Sequence, residues 1–158
     1  MTAKQPFSYC GGKQTIASWI IPYIPKHTTY VEPFAGGASV FWRKPVPENA
    51  KENECVEVLN DTNGMIANFY QQLRDNKEFL HKIKYTLYSE ANFKLARKIK
   101  NDPNASKVDK AWAWFVVTNA SFANDPFSSF GFSKSTRSTA AGFSEKAYSI
   151  KTFHERLK

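Results

Sequence analysis

The sequence has little of what would indicate a metal site, a disulfide scaffold or a membrane span. Its 158 residues include three histidines and two cysteines. No Cys/His cluster has metal-ligand spacing, so no metal site is predicted. Cys10 and Cys55 could pair, but two incidental thiols in a cytoplasmic protein are the simpler interpretation. No apolar run approaches the roughly 20 residues of a membrane-spanning helix, and the first ten residues lack the pattern of a signal peptide.

Apolar residues and positive charge are what the sequence has in quantity. Hydrophobic residues make up 42% of the chain and aromatic residues 15%, which predicts a single globular domain rather than a disordered chain. The net charge of +8 lies in the second half: residues 1–75 hold 7 basic and 7 acidic side chains, whereas residues 76–158 hold 15 and 7. Solvated helix faces explain this asymmetry as well as a polyanion-binding half does, so charge alone leaves both interpretations open.

Hydrophobic periodicity predicts strands that alternate with helices in the first third of the chain, and mainly helices after it. The predicted strands are "TTYVEPF" and "CVEVLND". The predicted helices around them are "TIASWIIPYI", "ASVFW" and "TNGMIANFYQQLRDN". Alternation of this kind indicates a parallel sheet. Residues 77–122 have helical spacing throughout, residues 123–143 have no periodicity, and "SEKAYSIKTFHERLK" is predicted to be one final amphipathic helix.

Two glycine bends, "YCGGKQT" and "EPFAGGAS", are candidates for binding a ligand. The first is not a nucleotide phosphate loop, because Phe7 stands where the leading glycine belongs and Gln14 where Ser or Thr must be. In the second, Gly36 and Gly37 lie between a predicted strand and a predicted helix. Asp61 ends the next strand about 25 residues later, near the offset at which a carboxylate binds ribose hydroxyls. A tight turn alone would explain the glycines, but the combination indicates a ribose-bearing ligand without a pyrophosphate.

Three segments resemble one known protein family in their order and spacing. "PFSYCGGK", "YVEPFAGGASVF" and "VLNDTNGMIANFY" are similar to the N-terminal half of the Dam-like, D12 class DNA adenine-N6 methyltransferases. The resemblance is strong over residues 6–73. It is weaker over "AWAWFVVTNASF", "FGFSK" and "SIKTFHERLK", which look like the family's target-recognition region and the helix that follows it.

The resemblance implies a fold and a division of the chain. The implied fold is α/β, a Rossmann-like S-adenosylmethionine-dependent methyltransferase fold that is incomplete here, with a mainly helical DNA-recognition insertion. Residues 1–75 would form the cofactor-binding part and residues 76–143 the helical target-recognition region. Residues 144–158 would form a helix leading back to a catalytic half that is absent from this chain.

S-adenosylmethionine is the cofactor that the resemblance implies. The Lys13 ammonium would oppose the methionyl carboxylate, and Asp61 would accept hydrogen bonds from the ribose hydroxyls. Glu32, just before the bend, is expected to orient the loop rather than to touch the ligand. The residues expected to bind the cofactor are Tyr9, Gly12, Lys13, Phe34, Ala35, Gly36, Gly37 and Asp61.

Double-stranded DNA is the partner that the resemblance implies, in agreement with the basic second half. Phosphate contacts are expected from lysines such as Lys94, Lys98 and Lys100. Core packing is the simpler explanation of Phe127, Phe130 and Phe132, and the alternative is that one of them wedges into the duplex while the target base is flipped out. The residues expected to meet base edges or phosphates are Asn119, Asn124, Ser133, Lys134 and Arg137.

The family's Asp-Pro-Pro-Tyr-like acceptor motif is absent from these 158 residues. The nearest match is "NDPF", residues 124–127, which is predicted to be a turn. No catalytic residue is therefore assigned within the chain. The chain is expected to be the inactive N-terminal part of a DNA adenine-N6 methyltransferase, with the missing C-terminal half as its partner. A non-catalytic DNA-binding module and an RNA methyltransferase remain the alternatives.

Overall fold

The computed structural model describes residues 4–9, 11–46, 55–132 and 139–158. Strand β1 (Thr29–Glu32) pairs in parallel with strand β2 (Val56–Leu59). β1 ends before Pro33, which has no N–H to continue a ladder. Both predicted strands and their parallel pairing are confirmed. Among the described residues there is no further strand, so the fold mixes helices with a small parallel sheet and does not form a complete Rossmann-like sheet.

Helices make up most of the described chain. The short helix α1 (Ala17–Ile20) runs into a 3₁₀ turn at Ile21–Tyr23. Within the described residues, no helix is long and apolar enough to cross a bilayer. The helices after the sheet are α2 (Gly64–Asp75), α3 (Lys77–Lys84), α4 (Glu90–Asn101), α5 (Lys107–Ala120), α6 (Thr139–Tyr148) and α7 (Ile150–Arg156). A serine or asparagine side chain caps the N-terminus of each of the helices α2 to α5, and these residue types are preferred at that position.

The helix predicted after the glycine bend is absent, and hydrogen-bonded turns replace it. The N–H of Trp42 donates to the carbonyl of Ala38, but the N–H groups of Arg43 and Lys44 both donate to Val40. This mixture of three- and four-residue bonds does not propagate as an α-helix. Ala38 also has a φ of 49°, which lies outside the right-handed helical region.

The end of the chain agrees with its prediction at one turn and differs from it in two respects. The "NDPF" turn is confirmed, because Asp125 Oδ1 accepts the Phe127 N–H at 3.0 Å. The final helix, predicted as one, is two helices separated at Ser149. The first of them begins at Thr139, inside the segment predicted to be aperiodic.

One hydrophobic core joins the parts of the chain. Every residue of α5 from Ala111 onward is buried, and α5 packs against α2 and α4. The same core includes Phe7 near the N-terminus and Phe41 after the glycine bend. The segments assigned to cofactor binding and to target recognition therefore share a core, and the boundary between residues 75 and 76 stays a prediction.

One face of the small sheet is open to solvent. Val31, Val56 and Val58 are 50%, 54% and 39% exposed, whereas Tyr30 and Leu59 on the other face pack against the core. Parallel sheets are ordinarily covered on both faces. The described residues therefore leave an apolar sheet face uncovered.

Candidate functional site

A cleft of about 670 Å³ lies at the carboxyl ends of β1 and β2. This volume is within the range of small-molecule sites in proteins. Residues of both glycine bends, which are separate in sequence, line it. All eight residues predicted to bind a cofactor line the cleft: Tyr9, Gly12, Lys13, Phe34, Ala35, Gly36, Gly37 and Asp61.

The Asp61 carboxylate holds the second glycine bend from the end of β2. Its Oδ2 accepts the Gly36 N–H at 2.8 Å, and its Oδ1 accepts the Asn63 N–H at 2.9 Å. The neighbouring Ala35 N–H donates to the carbonyl of Asn60 at 2.9 Å. Each carboxylate oxygen has a further lone pair, so Asp61 can fix the bend and still accept a hydrogen bond from a ligand hydroxyl.

Two glycines allow the N-terminal segment, residues 5–9, to lie directly against the second glycine bend. A Cβ at Gly36, whose φ is +50°, would stand 3.2 Å from Cδ1 of Tyr9. A Cβ at Gly37 would stand 3.0 Å from the carbonyl oxygen of Phe7. Side chains at these two positions would push the segment away from the bend. Gly12 instead closes a turn within the first bend: its N–H donates to the carbonyl of Tyr9 at 2.9 Å, and a Cβ there would stand 2.8 Å from that oxygen.

Two buried polar side chains that the sequence patterns did not single out support the bend. The Tyr70 hydroxyl donates to the carbonyl of Gly36 at 2.8 Å, and burial raises its pKa well above the ordinary value. Gln5 donates to the carbonyl of Phe7 at 2.9 Å and accepts the Ser39 hydroxyl at 2.7 Å. Tyr70 is the one hydroxyl within an otherwise apolar helical stripe, which is a signal that could have identified it.

Glu32 holds the loop after the bend, as expected, but it also lines the cleft, so its lack of contact with the ligand stays a prediction. Its Oε1 accepts the Tyr30 hydroxyl at 2.8 Å and the Phe41 N–H at 2.7 Å. Burial raises the pKa of Glu32 overall, although these hydrogen bonds and the charges of Lys13 and Lys44 act to lower it.

Lys13 itself is exposed and forms no ion pair among the described residues, so its ammonium is available to an anionic ligand group.

A second cleft of about 670 Å³ lies between β2, α2 and α7. On its wall, Glu57 pairs with both Lys44 and Arg156 at 2.5 Å. Burial raises the pKa of Glu57, but the hydrogen bonds and charges of these two cations outweigh that effect and lower it overall. No glycine lines this cleft. In the described part of the chain, no group of three or more His, Cys, Asp or Glu side chains could hold a metal ion. The glycine-lined cleft is therefore the better candidate site.

Comparison with known proteins agrees with the resemblance of the motifs. The family model of the D12 class N6 adenine-specific DNA methyltransferases matches residues 9–155. This chain belongs to that family. The match includes both the cleft residues and the helices of the second half, so the methyltransferase family accounts for nearly the whole chain.

Two curated proteins are similar to parts of this methyltransferase-family chain. A DNA N-6-adenine-methyltransferase of Escherichia phage P1 is 30% identical over 86 residues, which are 54% of this chain and 10% of that protein. The type II methyltransferase M1.LlaDCHI of Lactococcus lactis subsp. cremoris is 28% identical over 108 residues, which are 67% of this chain and 35% of that protein. The chain therefore matches about a third or less of the length of these methyltransferases.

The residues expected to contact DNA lie in different environments. Asn119 is 1% exposed; its Nδ2 donates to the carbonyl of Pro6 at 3.1 Å and its Oδ1 accepts from Lys146 at 2.7 Å. A DNA contact from Asn119 would require these bonds to open, so its position favours a structural role. Asn124 is half-buried in a 3₁₀ turn with a φ of 55°. Ser133, Lys134 and Arg137 lie outside the described residues.

The three phenylalanines considered as a wedge are not equivalent. The Phe130 ring lies 5.0 Å from that of Tyr88 and 5.7 Å from that of Phe93, in contact with the core. Phe127 and Phe132 are 79% and 73% exposed. A wedge from Phe130 would have to leave the core, so the wedge hypothesis is confined to Phe127 and Phe132.

The lysines expected to contact phosphates lie on α4. Lys94 pairs with Glu90 one helical turn away, at 2.9 Å, and Lys98 is exposed. Lys100 lies 4.9 Å from the centre of the Phe127 ring. Burial and the charge of Arg97 lower the pKa of Lys100. The half-buried ammonium of Lys100 thus lies beside the exposed Phe127 ring, and the exposed Lys98 is on the same helix; positive charge next to an aromatic ring suits a polyanionic partner.

Proposed function

We propose that this chain forms the methyl-donor-binding part of an enzyme that transfers a methyl group from S-adenosylmethionine to N6 of adenine in DNA. The observation that carries the proposal is the convergence of three motifs on one cleft, with the second glycine bend fixed by the Asp61 carboxylate at 2.8 Å from the Gly36 nitrogen. Family membership supports the reaction class. S-adenosylmethionine would supply the activated methyl group when bound.

The residues of the cleft suit the parts of this donor. The remaining lone pairs of Asp61 can accept ribose hydroxyls. The exposed ammonium of Lys13, which has no ion-pair partner among the described residues, suits the methionyl carboxylate. Phe34 is 73% exposed at the cleft and offers an aromatic face to a purine base. Gly36 and Gly37 let the backbone approach the ligand without an intervening side chain.

Double-stranded DNA is the proposed partner of the basic second half. Phosphate contacts would come from α4, and base or phosphate contacts from Asn124, Lys134 and Arg137. No acceptor motif occurs in these 158 residues, so methyl transfer would require a segment that carries that motif. We expect the purified 158-residue chain to bind the donor without turning it over.

Donor binding by the full 158-residue chain tests this proposal, measured by isothermal titration calorimetry with S-adenosylmethionine. Asp61→Ala removes the proposed acceptor of the ribose hydroxyls and the hydrogen bond to the Gly36 N–H. The affinity of this variant for S-adenosylmethionine should therefore fall by about 10- to 100-fold, which corresponds to one or two charge-assisted hydrogen bonds. Asp75→Ala is the matched control, because Asp75 is exposed and pairs with its neighbour Arg74. Absence of donor binding by the unmodified chain, or equal affinity of the Asp61→Ala variant, would contradict the proposal.

A further inference from the structure

Lys146 of α6 is a half-buried cation that lies outside the cleft. Its ammonium donates to Oδ1 of Asn119 on α5 at 2.7 Å and to the Ser8 hydroxyl at 3.3 Å. No ion pair of Lys146 is found within the described ranges. Partial loss of hydration by an ammonium without a carboxylate partner costs free energy, so the hydrogen bonds to Asn119 and Ser8 have to compensate for it.

The contacts of Lys146 continue as far as the cleft. Asn119 donates to the carbonyl of Pro6 at 3.1 Å, so both Lys146 and Asn119 bind the N-terminal segment, residues 5–9. That segment binds the second glycine bend through the Gln5–Ser39 hydrogen bond of 2.7 Å. Its last residue, Tyr9, lies against Gly36 and lines the cleft. Lys146 thus connects the helical second half to the wall of the proposed donor site.

We propose that Lys146 is a positioning residue for the methyl donor, whose ammonium holds the N-terminal segment against the second glycine bend through Asn119 and Ser8. Donor affinity then depends on a charge that does not touch the donor. The inference rests on the proposed function and adds to it a residue outside the cleft. Plain core packing, the competing explanation, would depend on the shape of this side chain and not on its charge.

The charge of Lys146 can be changed by pH within an accessible range. Burial lowers its pKa to about 8, against an opposing effect of Glu145 on the same helix. Among the described residues, the groups that contact the ammonium from α5 and from the N-terminal segment, Asn119 and Ser8, are neutral. As the pH rises through about 8, the ammonium loses its proton and one of its hydrogen-bond donors, so its hold on the segment should weaken.

The test compares donor affinity between pH 7 and pH 9 in the unmodified chain, Lys146→Arg and Lys146→Met. The amino group of S-adenosylmethionine also titrates in this pH range, so the result is the difference in the pH dependence of affinity between the variants. Lys146→Arg keeps its charge and should lose less affinity above pH 8 than the unmodified chain. Lys146→Met should bind about tenfold more weakly at pH 7, equivalent to one charge-assisted hydrogen bond. Lys151→Met is the control, because the Lys151 side chain is 81% exposed.

Amide hydrogen exchange without the donor gives a second, independent readout. Lys146→Met should speed exchange at residues 7–9 and at Gly36, with no change in α2. Identical pH profiles for Lys146→Arg and the unmodified chain, or exchange at residues 7–9 that Lys146→Met leaves unchanged, would overturn the inference. A chain that bound no donor would refute the proposed function, and the exchange measurement would then decide the role of Lys146 by itself.

Discussion

Replacing Gly36 by alanine should destabilise the protein and weaken its donor site together. Gly36 has a φ of +50°, and an L-residue in this left-handed region costs about 1–2 kcal/mol. The added methyl group would also stand 3.2 Å from Cδ1 of Tyr9, so the ring must move by a few tenths of an ångström. We expect the free energy of unfolding of the Gly36→Ala variant to fall by about 1–3 kcal/mol.

The same substitution at Gly64 is a matched control, for which we expect a change in the free energy of unfolding of opposite sign. Gly64 is the first residue of α2, and no atom lies within 4 Å of the position of an added Cβ. Gly64→Ala should therefore raise the free energy of unfolding by about 0.5 kcal/mol through the helix preference of alanine. Urea denaturation followed by circular dichroism measures both variants, and calorimetry with S-adenosylmethionine measures donor affinity. A Gly36→Ala variant as stable as the unmodified chain, with equal donor affinity, would refute the reasoning about the bend.

Two further predictions concern DNA binding and acid stability. Phe130→Ala should lower the free energy of unfolding by about 2–4 kcal/mol, because the Phe130 ring packs on the core. Phe127→Ala should leave the free energy of unfolding nearly unchanged. It should instead weaken binding to duplex DNA that carries an unpaired adenine, as measured by fluorescence anisotropy. Equal stability losses in both variants would contradict this difference. Arg156 and Lys44 lower the pKa of Glu57 against the effect of burial. The ionised Glu57 therefore stabilises the folded protein above its ordinary pKa of 4.5, and this contribution is lost as the pH falls below that value and through the lowered pKa. Glu57→Gln should cost about 2–3 kcal/mol at pH 7 and make urea midpoints fall less steeply between pH 5 and pH 3; an unchanged acid slope would exclude Glu57 as the titrating group.

Local patterns in the sequence predicted the elements that depend on near neighbours. Alternating apolar residues and the missing N–H of Pro33 define β1 and its end, and the stripe from Met65 to Leu73 marks the buried face of α2. The helix expected after Gly37 did not form, because the backbone at Ala38 has a positive φ. Such a local conformation is set by tertiary packing around the bend rather than by helix propensity.

Contacts between residues that are distant in the sequence could not be predicted from the spacing of residue types. Asn119 was a reasonable candidate for reading DNA, since it lies near the end of a helix beside a polar loop. It is instead bonded to Pro6, 113 residues away. The bond between Tyr70 and Gly36 spans 34 residues. No periodicity reveals such partners. Of the cleft residues, Gly36, Gly37 and Asp61 could be proposed from their place at the strand ends, whereas the others were expected only from the resemblance of the motifs to the methyltransferase family.

The uncovered valine face of the sheet has a consequence for handling the purified chain. Val31, Val56 and Val58 present β-branched side chains to solvent, and no described residue pairs with the outer edges of the two strands; such surfaces favour self-association. The net charge of +8 opposes association through mutual repulsion, which salt screens over about 10 Å at 0.1 M. High-salt washes that strip nucleic acid from a basic protein would therefore promote clustering, and dilute, low-salt samples should stay monodisperse the longest.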